Sequence, residues 1–273
     1  TGVLTVSTSS GTDYTPDLGI GTADSPTFTG LTLSSASLTK NTDVTGWDYN
    51  VKSLSIAAKE TASTYIYVKS DGTKAYVGGT TSDSVHQYNL STPYDISTGT
   101  FASSFSVLSQ DTTASGIFFK SDGTKMYILG YTGDAVYQYS LSTAWDLSTA
   151  SYDSVSFSVL TQDTSGFDLA FSSDGSYFYI VGATNDFVYQ YTMSTPWSIS
   201  TASYTRSYSV ATYASNATGI SFNATGSEMY ILGTTYNAIN RFTLTTPWDI
   251  STATYVSRLG INNIDTSAQG LFY

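Results

Sequence analysis

Two apolar runs flank an Asp-Gly pair in the stretch Gly116–Gly130, which has the sequence GIFFKSDGTKMYILG. Asp-Gly is a dipeptide that two-residue hairpin turns favour, because both turn positions take positive φ angles. The aromatic and β-branched residues on either side favour strands. The stretch therefore predicts two antiparallel strands joined by a tight turn.

The same stretch recurs along the chain. Its turn glycine is found at offsets of 51, 52 and 51 residues, at Gly72, Gly123, Gly175 and Gly226. An aromatic residue followed by an Ile/Leu-Ser-Thr triplet keeps the same offsets, at Tyr94, Trp145, Trp197 and Trp248. Each unit contains four predicted strands, and such units repeated head to tail are typical of β-propellers. We predict an all-β fold, a β-propeller of about 51-residue four-stranded blades, preceded by a fibre-like β segment.

The repeats set the predicted domain boundaries. Residues 1–46 form a fibre-shaft-like segment and residues 47–273 the propeller, with blades at about 65–108, 115–160, 166–210 and 219–259. Residues 49–57 align with the outermost strand of a blade, and residues 270–273 align with the first strand of a further blade. These pieces do not close a ring. We expect either further chain beyond residue 273 or completion of a four-bladed or open assembly by a neighbouring subunit.

Composition excludes several classes of function. Lys and Arg number 10 against 21 Asp and Glu, so the net charge is −11, which is unsuited to binding nucleic acid or an anionic membrane. No apolar run is long enough to insert into a membrane as a helix. The chain has no Cys and one His, which excludes disulfides, cysteine nucleophiles and metal sites built from thiolates or several imidazoles.

The N-terminal segment carries a resemblance. Residues 19–33, GIGTADSPTFTGLTL, resemble a repeat of tail-fibre proteins from tailed bacteriophages, in which such segments form intertwined trimeric shafts. The propeller repeat, with SDGTKMY at residues 121–127, is similar to repeats in proteins of marine phages. The resemblance implies a homotrimeric component of a virion that contacts other virion proteins and a host-surface glycan or envelope protein.

The search for catalytic residues favours a protein that is not an enzyme. His86 stands where later repeats have Tyr137, Tyr189 and Asn240, so we interpret it as a packed core residue. A Ser-His-Asp triad would need His86 beside a buried acid and an exposed serine, and no Gly-Xaa-Ser-Xaa-Gly motif supports one. We predict no cofactor. Composition does not exclude Ca²⁺, because carboxylates and backbone carbonyls suffice to hold it.

Acidic residues recur in two sets of loops that leave a propeller on the same face. Asp83, Asp134 and Asp186 lie in the second hairpin of their units, and Asp111 and Asp163 precede the first strand of the next unit. We predict a solvated acidic rim, with a cation site or a paired-carboxylate hydrolase centre as the alternatives.

Function in a repeat protein is expected where the repeat is broken. Three loop tyrosines, Tyr131, Tyr213 and Tyr236, replace smaller or polar residues of the other units. We predict that they bind ligand, because aromatic rings stack on sugars; the alternative is that a Tyr-rich chain scatters tyrosines in its loops. The periodic Trp145, Trp197 and Trp248 fit an anchor at the blade edge.

The sequence thus predicts a non-enzymatic structural or adhesive protein on a phage particle, a tail fibre or receptor-binding component. One alternative is a purely structural fibre or capsid-decorating protein that docks another viral protein. Others are a polysaccharide-degrading propeller enzyme and a secreted bacterial adhesin.

Overall fold

The computed structural model describes the backbone at Val6–Ser7 and Asp13–Tyr14, and residues 52–261 and 268–271. The chain divides into two units, residues 1–42 and 43–273. In the first unit, β1 (Val6–Ser7) pairs antiparallel with β2 (Asp13–Tyr14). The rest of the predicted fibre-shaft segment, residues 1–46, lies outside the described residues, as do residues 49–51, 272 and 273 of the predicted propeller strands.

The second unit is a four-bladed β-propeller, which confirms the predicted fold class. Each blade is a four-stranded antiparallel sheet in sequence order. Blade 1 comprises β3 (Ser63–Val68), β4 (Lys74–Gly79), β5 (Ser84–Leu90) and β6 (Gly99–Ser106). Blade 2 comprises β7 (Ala114–Phe119), β8 (Lys125–Gly130), β9 (Ala135–Leu141) and β10 (Ala150–Ser158). Blade 3 comprises β11 (Gly166–Phe171), β12 (Tyr177–Gly182), β13 (Phe187–Met193) and β14 (Ala202–Ser209). Blade 4 comprises β15 (Ala217–Phe222), β16 (Glu228–Gly233), β17 (Ala238–Leu244) and β18 (Ala253–Gly260).

The periodic aromatic residues support the Asp-Gly turns. Trp145 has a φ of 64°, and its backbone N–H donates to the carbonyl of Gly123 over 3.0 Å. Its indole covers the turn so closely that a Cβ at Gly123, where φ is +73°, would lie 2.4 Å from Trp145 Cδ1. A 3-10 turn follows each aromatic residue, at Ile96–Thr98, Leu147–Thr149, Ile199–Thr201 and Ile250–Thr252. Within the described residues, no helix has the length and apolarity needed to cross a bilayer.

Neighbouring blades are joined by apolar contacts and by a repeated hydrogen bond. A buried tyrosine in the second strand of one blade donates its hydroxyl to the aromatic-residue carbonyl of the next blade. The distances are 2.7 Å from Tyr76 to Trp145, 2.6 Å from Tyr127 to Trp197 and 2.6 Å from Tyr179 to Trp248. Three apolar clusters fill the spaces between consecutive blades. The blades are therefore fixed to one another by buried, directional contacts.

Residues 268–271 lie between blade 4 and blade 1. Thr218 donates its hydroxyl to the carbonyl of Ala268 over 3.2 Å, as Thr64 does to Ala114 over 2.9 Å at the junction of blades 1 and 2. On the other side, a Cβ at Gly270 would lie 3.1 Å from Tyr65 Cα. The segment Ala268–Leu271 thus occupies the position of an innermost strand beside β15.

Candidate functional site

A cavity of about 360 Å³ lies where the innermost strands begin. Its walls come from the starts of β3, β7 and β11, from the loops around them, and from the segment Ala268–Leu271. The lining residues are Ala62, Ser63, Thr64, Thr80, Thr113, Ser115, Tyr131, Phe167 and Gln269. We call this space the axial cavity.

The lining of the axial cavity is uncharged, and its exposed surface is mostly apolar with a few hydroxyl and amide groups. Five of its nine residues are Ser or Thr, Gln269 adds an amide, and none carries a charge. The rings of Tyr131 and Phe167 lie side by side, with centroids 5.6 Å apart and planes at 58°. The Tyr131 hydroxyl is 3.3 Å from Ser165 Oγ. Hydroxyl and amide groups beside an aromatic surface suit a small, uncharged, polyhydroxylated ligand.

Buried acids hold the loops that line the cavity. Asp111, only 4 % exposed, accepts the backbone N–H groups of Thr113 and Gly133, each over 2.7 Å. Tyr131 in turn donates its N–H to the carbonyl of Thr113 over 2.8 Å. In blade 1, Glu60 accepts the N–H of Ala62 over 2.7 Å. These carboxylates connect the loop before the first strand to the loop after the second, and so fix the cavity wall.

The predicted acidic rim is therefore divided between buried acids and turn residues. Asp163 is 2 % exposed and accepts the N–H of Ser165 over 2.7 Å, so it lies inside with Asp111. Asp83, Asp134 and Asp186 have φ angles of 48°, 45° and 54° and are half-buried turn residues. Burial raises the pKa of Asp134, and the charges of Asp163 and Asp111 add to the increase. Among the described residues, no group of three or more His, Cys, Asp or Glu side chains is arranged to hold a metal ion.

Of the three predicted ligand-binding tyrosines, the structure brings Tyr131 to the cavity. Tyr213 instead stacks on Tyr255, with centroids 4.2 Å apart and planes at 9°. Tyr236 is 48 % exposed, and Arg258 lies over its ring at 5.0 Å. Neither Tyr213 nor Tyr236 lines the cavity.

His86 lies beside an acid and a serine, but in an order that differs from a catalytic triad. Ser82 Oγ is 2.9 Å from His86 Nε2 and donates to Glu60 Oε2 over 2.8 Å. The carboxylate thus contacts the hydroxyl rather than the far side of the imidazole, where a triad acid would orient it. Burial by itself raises the pKa of Glu60, but hydrogen bonds from Ala62, Ser82 and Thr81 outweigh it and lower the pKa. A carboxylate of lowered basicity is a poor acceptor for the serine proton, so this cluster supports the loops.

Asp168 is a candidate functional residue that is absent from the residues predicted from the sequence. It lies in β11 directly after Phe167, and its carboxylate accepts the N–H of Ile220 over 3.0 Å and that of Leu169 over 2.9 Å. Burial raises its pKa to about 8, although the N–H groups of Ile220, Leu169 and Leu271 act in the opposite direction. The signal was present in the repeat, because the equivalent positions hold Tyr65, Gly116 and Gly219.

Comparison with known proteins shows similarity of fold alone. No protein-family model and no curated protein matches the chain. Among solved structures, a candidate 6-phosphogluconolactonase from Bacteroides fragilis aligns with 15 % identity and a TM-score of 0.50, over 73 % of this chain and 55 % of its own. A second from Bacteroides uniformis has 13 % identity, a TM-score of 0.48 and coverage of 70 % and 56 %. The periplasmic gluconolactonase of Pseudomonas aeruginosa has 12 % identity, a TM-score of 0.45 and coverage of 72 % and 54 %. The chain spans about half the length of these structures.

The comparison corrects the prediction that the protein is not an enzyme. The Bacteroides fragilis propeller is described as a lactonase and shares this fold. Ester hydrolysis in principle needs neither His nor Cys, so the scarcity of these residues in the sequence does not exclude catalysis.

Proposed function

We propose that the protein is a propeller enzyme that hydrolyses a small, uncharged sugar lactone bound in the axial cavity. The observation that carries the proposal is the neutral lining of Ser, Thr and Gln side chains beside the Tyr131 and Phe167 rings. The shared fold of the candidate 6-phosphogluconolactonase supplies the class of reaction.

The lining favours an uncharged lactone over a phosphorylated one. A phosphate group is usually bound by Arg, Lys or clustered backbone N–H groups. The nine lining residues include no Arg or Lys, and the chain carries a net charge of −11, which repels an anionic ligand. The proposed substrate therefore carries hydroxyl groups and a cyclic ester but no phosphate.

The proposed reaction is addition of water to the lactone carbonyl. The ring C–O bond breaks, the ring oxygen leaves as a hydroxyl group, and the carboxylic acid that forms releases a proton at neutral pH. Groups such as the Thr80 hydroxyl and the Gln269 amide donate hydrogen bonds to the carbonyl oxygen as negative charge develops on it, whereas the hydroxyls of Thr64 and Ser115 already donate to backbone carbonyls. The Tyr131 ring packs against the C–H groups of the sugar.

Proton release from glucono-δ-lactone, measured in a pH-stat and corrected for the spontaneous reaction, tests the proposal. We expect turnover with the uncharged lactone and at least tenfold less with its 6-phosphate. Tyr131→Ala should lower kcat/KM by about fivefold, since stacking contributes about 1 kcal/mol. Tyr131→Phe, which keeps the ring, and Tyr236→Ala, which alters a tyrosine outside the cavity, are the matched controls. Equal rates with and without protein for both lactones would refute the proposal.

The virion location, the trimer and the host-surface partner remain predictions. A host-surface glycan belongs to the same ligand class, because a terminal sugar presents hydroxyl groups and a C–H face to a site. Binding of host polysaccharide fragments to the wild type, weakened by Tyr131→Ala and unchanged by Tyr236→Ala, would support that attachment role. Fragments that bind both variants as tightly as the wild type would place any glycan contact outside the axial cavity.

A further inference from the structure

Two segments of the second unit hold strand positions of a blade between blade 4 and blade 1. Residues 268–271 lie where an innermost strand would, between β15 and β3. Residues 52–56 lie where an outermost strand would, because an ion pair joins them to the 3-10 turn of blade 1 as one joins β14 to the turn of blade 4. The pairs are Lys52 with Asp95, over 2.7 Å, and Arg206 with Asp249. Within the described ranges, neither segment is paired into a sheet.

Blade 1 exposes apolar side chains toward this position. Tyr94 is 63 % exposed, whereas its counterpart Trp145, which packs against blade 1, is 9 % exposed. Ile96 is half-buried, whereas its counterparts in the other three blades are fully buried. These counterparts are Leu147, Ile199 and Ile250. The face that each later blade buries against its predecessor is therefore open in blade 1.

The three complete junctions show what covers such a face. The second strand of the preceding blade supplies a tyrosine hydroxyl to the carbonyl of the periodic aromatic residue, as from Tyr127 to Trp197. The third strand supplies a glutamine whose Oε1 accepts the N–H at the start of the 3-10 turn. The distances are 2.9 Å for Gln87 and Leu147, 3.4 Å for Gln138 and Ile199, and 3.3 Å for Gln190 and Ile250. On blade 1, the matching groups are the Tyr94 carbonyl and the Ile96 N–H.

The second and third strands form one β-hairpin, and the edges of the two segments match it. In blade 2, the hairpin of β8 and β9 pairs with β7 on its inner side and with β10 on its outer side. The register is set by Gly116 opposite Leu129 and by Val155 opposite Gln138. The positions equivalent to Gly116 and Val155 are Gly270 and Lys52. A hairpin in this position would pair with both segments through backbone hydrogen bonds, the mode of β-strand addition.

Arg241 indicates that the partner differs from this chain. It replaces the glutamine on β17, it is 9 % exposed, and its buried Nε has no acceptor among the described residues. The turn after each of this chain's own later hairpins presents an N–H at that point, as Leu147 does to Gln87. A second copy would therefore place one donor against another, whereas Arg241 needs an oxygen acceptor. The hairpins of a second copy are also held within complete blades.

We propose that the position between blades 4 and 1 is a docking site for a β-hairpin of a different protein, which adds two strands between residues 268–271 and residues 52–56. The hairpin brings a hydroxyl for the Tyr94 carbonyl, an amide oxygen for the Ile96 N–H and apolar side chains for the exposed face. The turn that follows it brings an oxygen acceptor for Arg241. This docking does not depend on the proposed lactonase activity.

A synthetic peptide of residues 125–141, the hairpin of β8 and β9, is the probe. It contains Tyr127 and Gln138 and ends before the 3-10 turn. We expect saturable binding of one peptide per chain by titration calorimetry. Tyr127→Phe and Gln138→Ala in the peptide should each weaken binding about fivefold, because each removes one hydrogen bond. A scrambled peptide is the control, and no binding of the native peptide, or equal binding of all four peptides, would overturn the proposal.

Variants of the protein locate the bound peptide. Tyr94→Ala and Ile96→Asp should weaken binding at least fivefold, since one removes the exposed ring and the other places a charge under the hairpin. Tyr204→Ala, which alters a 45 % exposed ring on β14, is the matched control and should bind as the wild type does. The peptide should also slow hydrogen exchange at the Gly270 and Leu271 amides. Unchanged affinity in both junction variants, or unchanged exchange, would place the peptide elsewhere and refute the site.

A longer peptide tests the choice of partner. Residues 125–149 add the turn that presents the Leu147 N–H to Arg241, so this extension should not tighten binding to the wild type. In Arg241→Gln, which restores the acceptor of the other blades, the extension should tighten binding about fivefold. An equal gain in both proteins, or a dimer of the chain that the peptide dissociates, would assign the position to a second copy and overturn the assignment to a different protein.

Discussion

Replacing Asp111 by Asn should destabilise the propeller and loosen the wall of the axial cavity. The carboxylate accepts backbone N–H groups from Thr113 and Gly133 over 2.7 Å and from Thr132 over 3.3 Å. An amide keeps one oxygen acceptor, and its NH₂ group must face at least one N–H donor. A hydrogen bond to a charged group contributes about 1.5–3 kcal/mol, and a buried donor left without an acceptor costs about 1–3 kcal/mol. We expect a loss of about 3 kcal/mol in the free energy of unfolding.

Urea unfolding followed by tryptophan fluorescence measures this change, and thermal unfolding should show a melting temperature lower by about 9 °C. The matched control is Asp122→Asn, because Asp122 also accepts a backbone N–H, from Thr124 over 3.0 Å, but its side chain is 48 % exposed. Water can replace that bond, so the control should lose less than about 1 kcal/mol. Equal losses in the two variants would refute the reasoning that burial makes the Asp111 contacts costly to remove.

Three further outcomes follow from the contacts between and within the blades. Tyr127→Phe removes the hydroxyl that donates to the Trp197 carbonyl over 2.6 Å, and it should lower the free energy of unfolding in urea by about 1–3 kcal/mol. Tyr204→Phe, on a ring that is 45 % exposed, is the control and should change it by less than about 0.5 kcal/mol. Gly123→Ala puts a Cβ against the Trp145 indole at a φ of +73° and should lower the melting temperature, while Gly260→Ala, where a Cβ meets nothing within 4 Å, should not. Burial raises the pKa of Asp168 to about 8, so its contribution to the free energy of unfolding is present below about pH 4 and is lost as pH rises toward 8. Asp168→Asn should therefore make the free energy of unfolding depend less steeply on pH across this range. An equally steep dependence in the variant and the wild type would contradict the assignment.

The blades were predictable because local chemistry and the repeat agree. Asp122-Gly123 specifies a turn, and its recurrence at a fixed period specifies an array. The sequence also predicts that Trp145 anchors the blade edge, because a residue that recurs in every repeat is expected to have a structural role. The axial cavity was not predictable in the same way, because its lining joins residues as far apart as Ala62 and Gln269. Their proximity depends on how the blades pack around the axis, which a local pattern does not specify.

The positions of the acids show why loop residues were hard to assign from sequence. An Asp in a polar loop is expected to face water, yet Asp111 is buried by the backbone N–H groups of the neighbouring hairpin. Asp168 breaks the repeat inside a strand, where the expectation that functional residues lie in loops does not reach. Tyr131 and Tyr213 looked alike in sequence, and only packing separates a ring that borders the cavity from one stacked on Tyr255.

The repeat also explains how a nearly symmetric ring can bind a ligand in one orientation. Equivalent positions of successive innermost strands hold Thr64, Ser115, Phe167, Thr218 and Gln269, and all of these except Thr218 line the cavity. Because equivalent backbones place these side chains around one axis, only their chemistry distinguishes one side from another. The aromatic side, at Phe167 and Tyr131, suits a C–H face, and the opposite sides offer hydroxyl and amide groups. An uncharged sugar lactone, which has one apolar face and an edge of oxygen atoms, matches this asymmetry, whereas a ligand with no apolar face would gain nothing from the two rings.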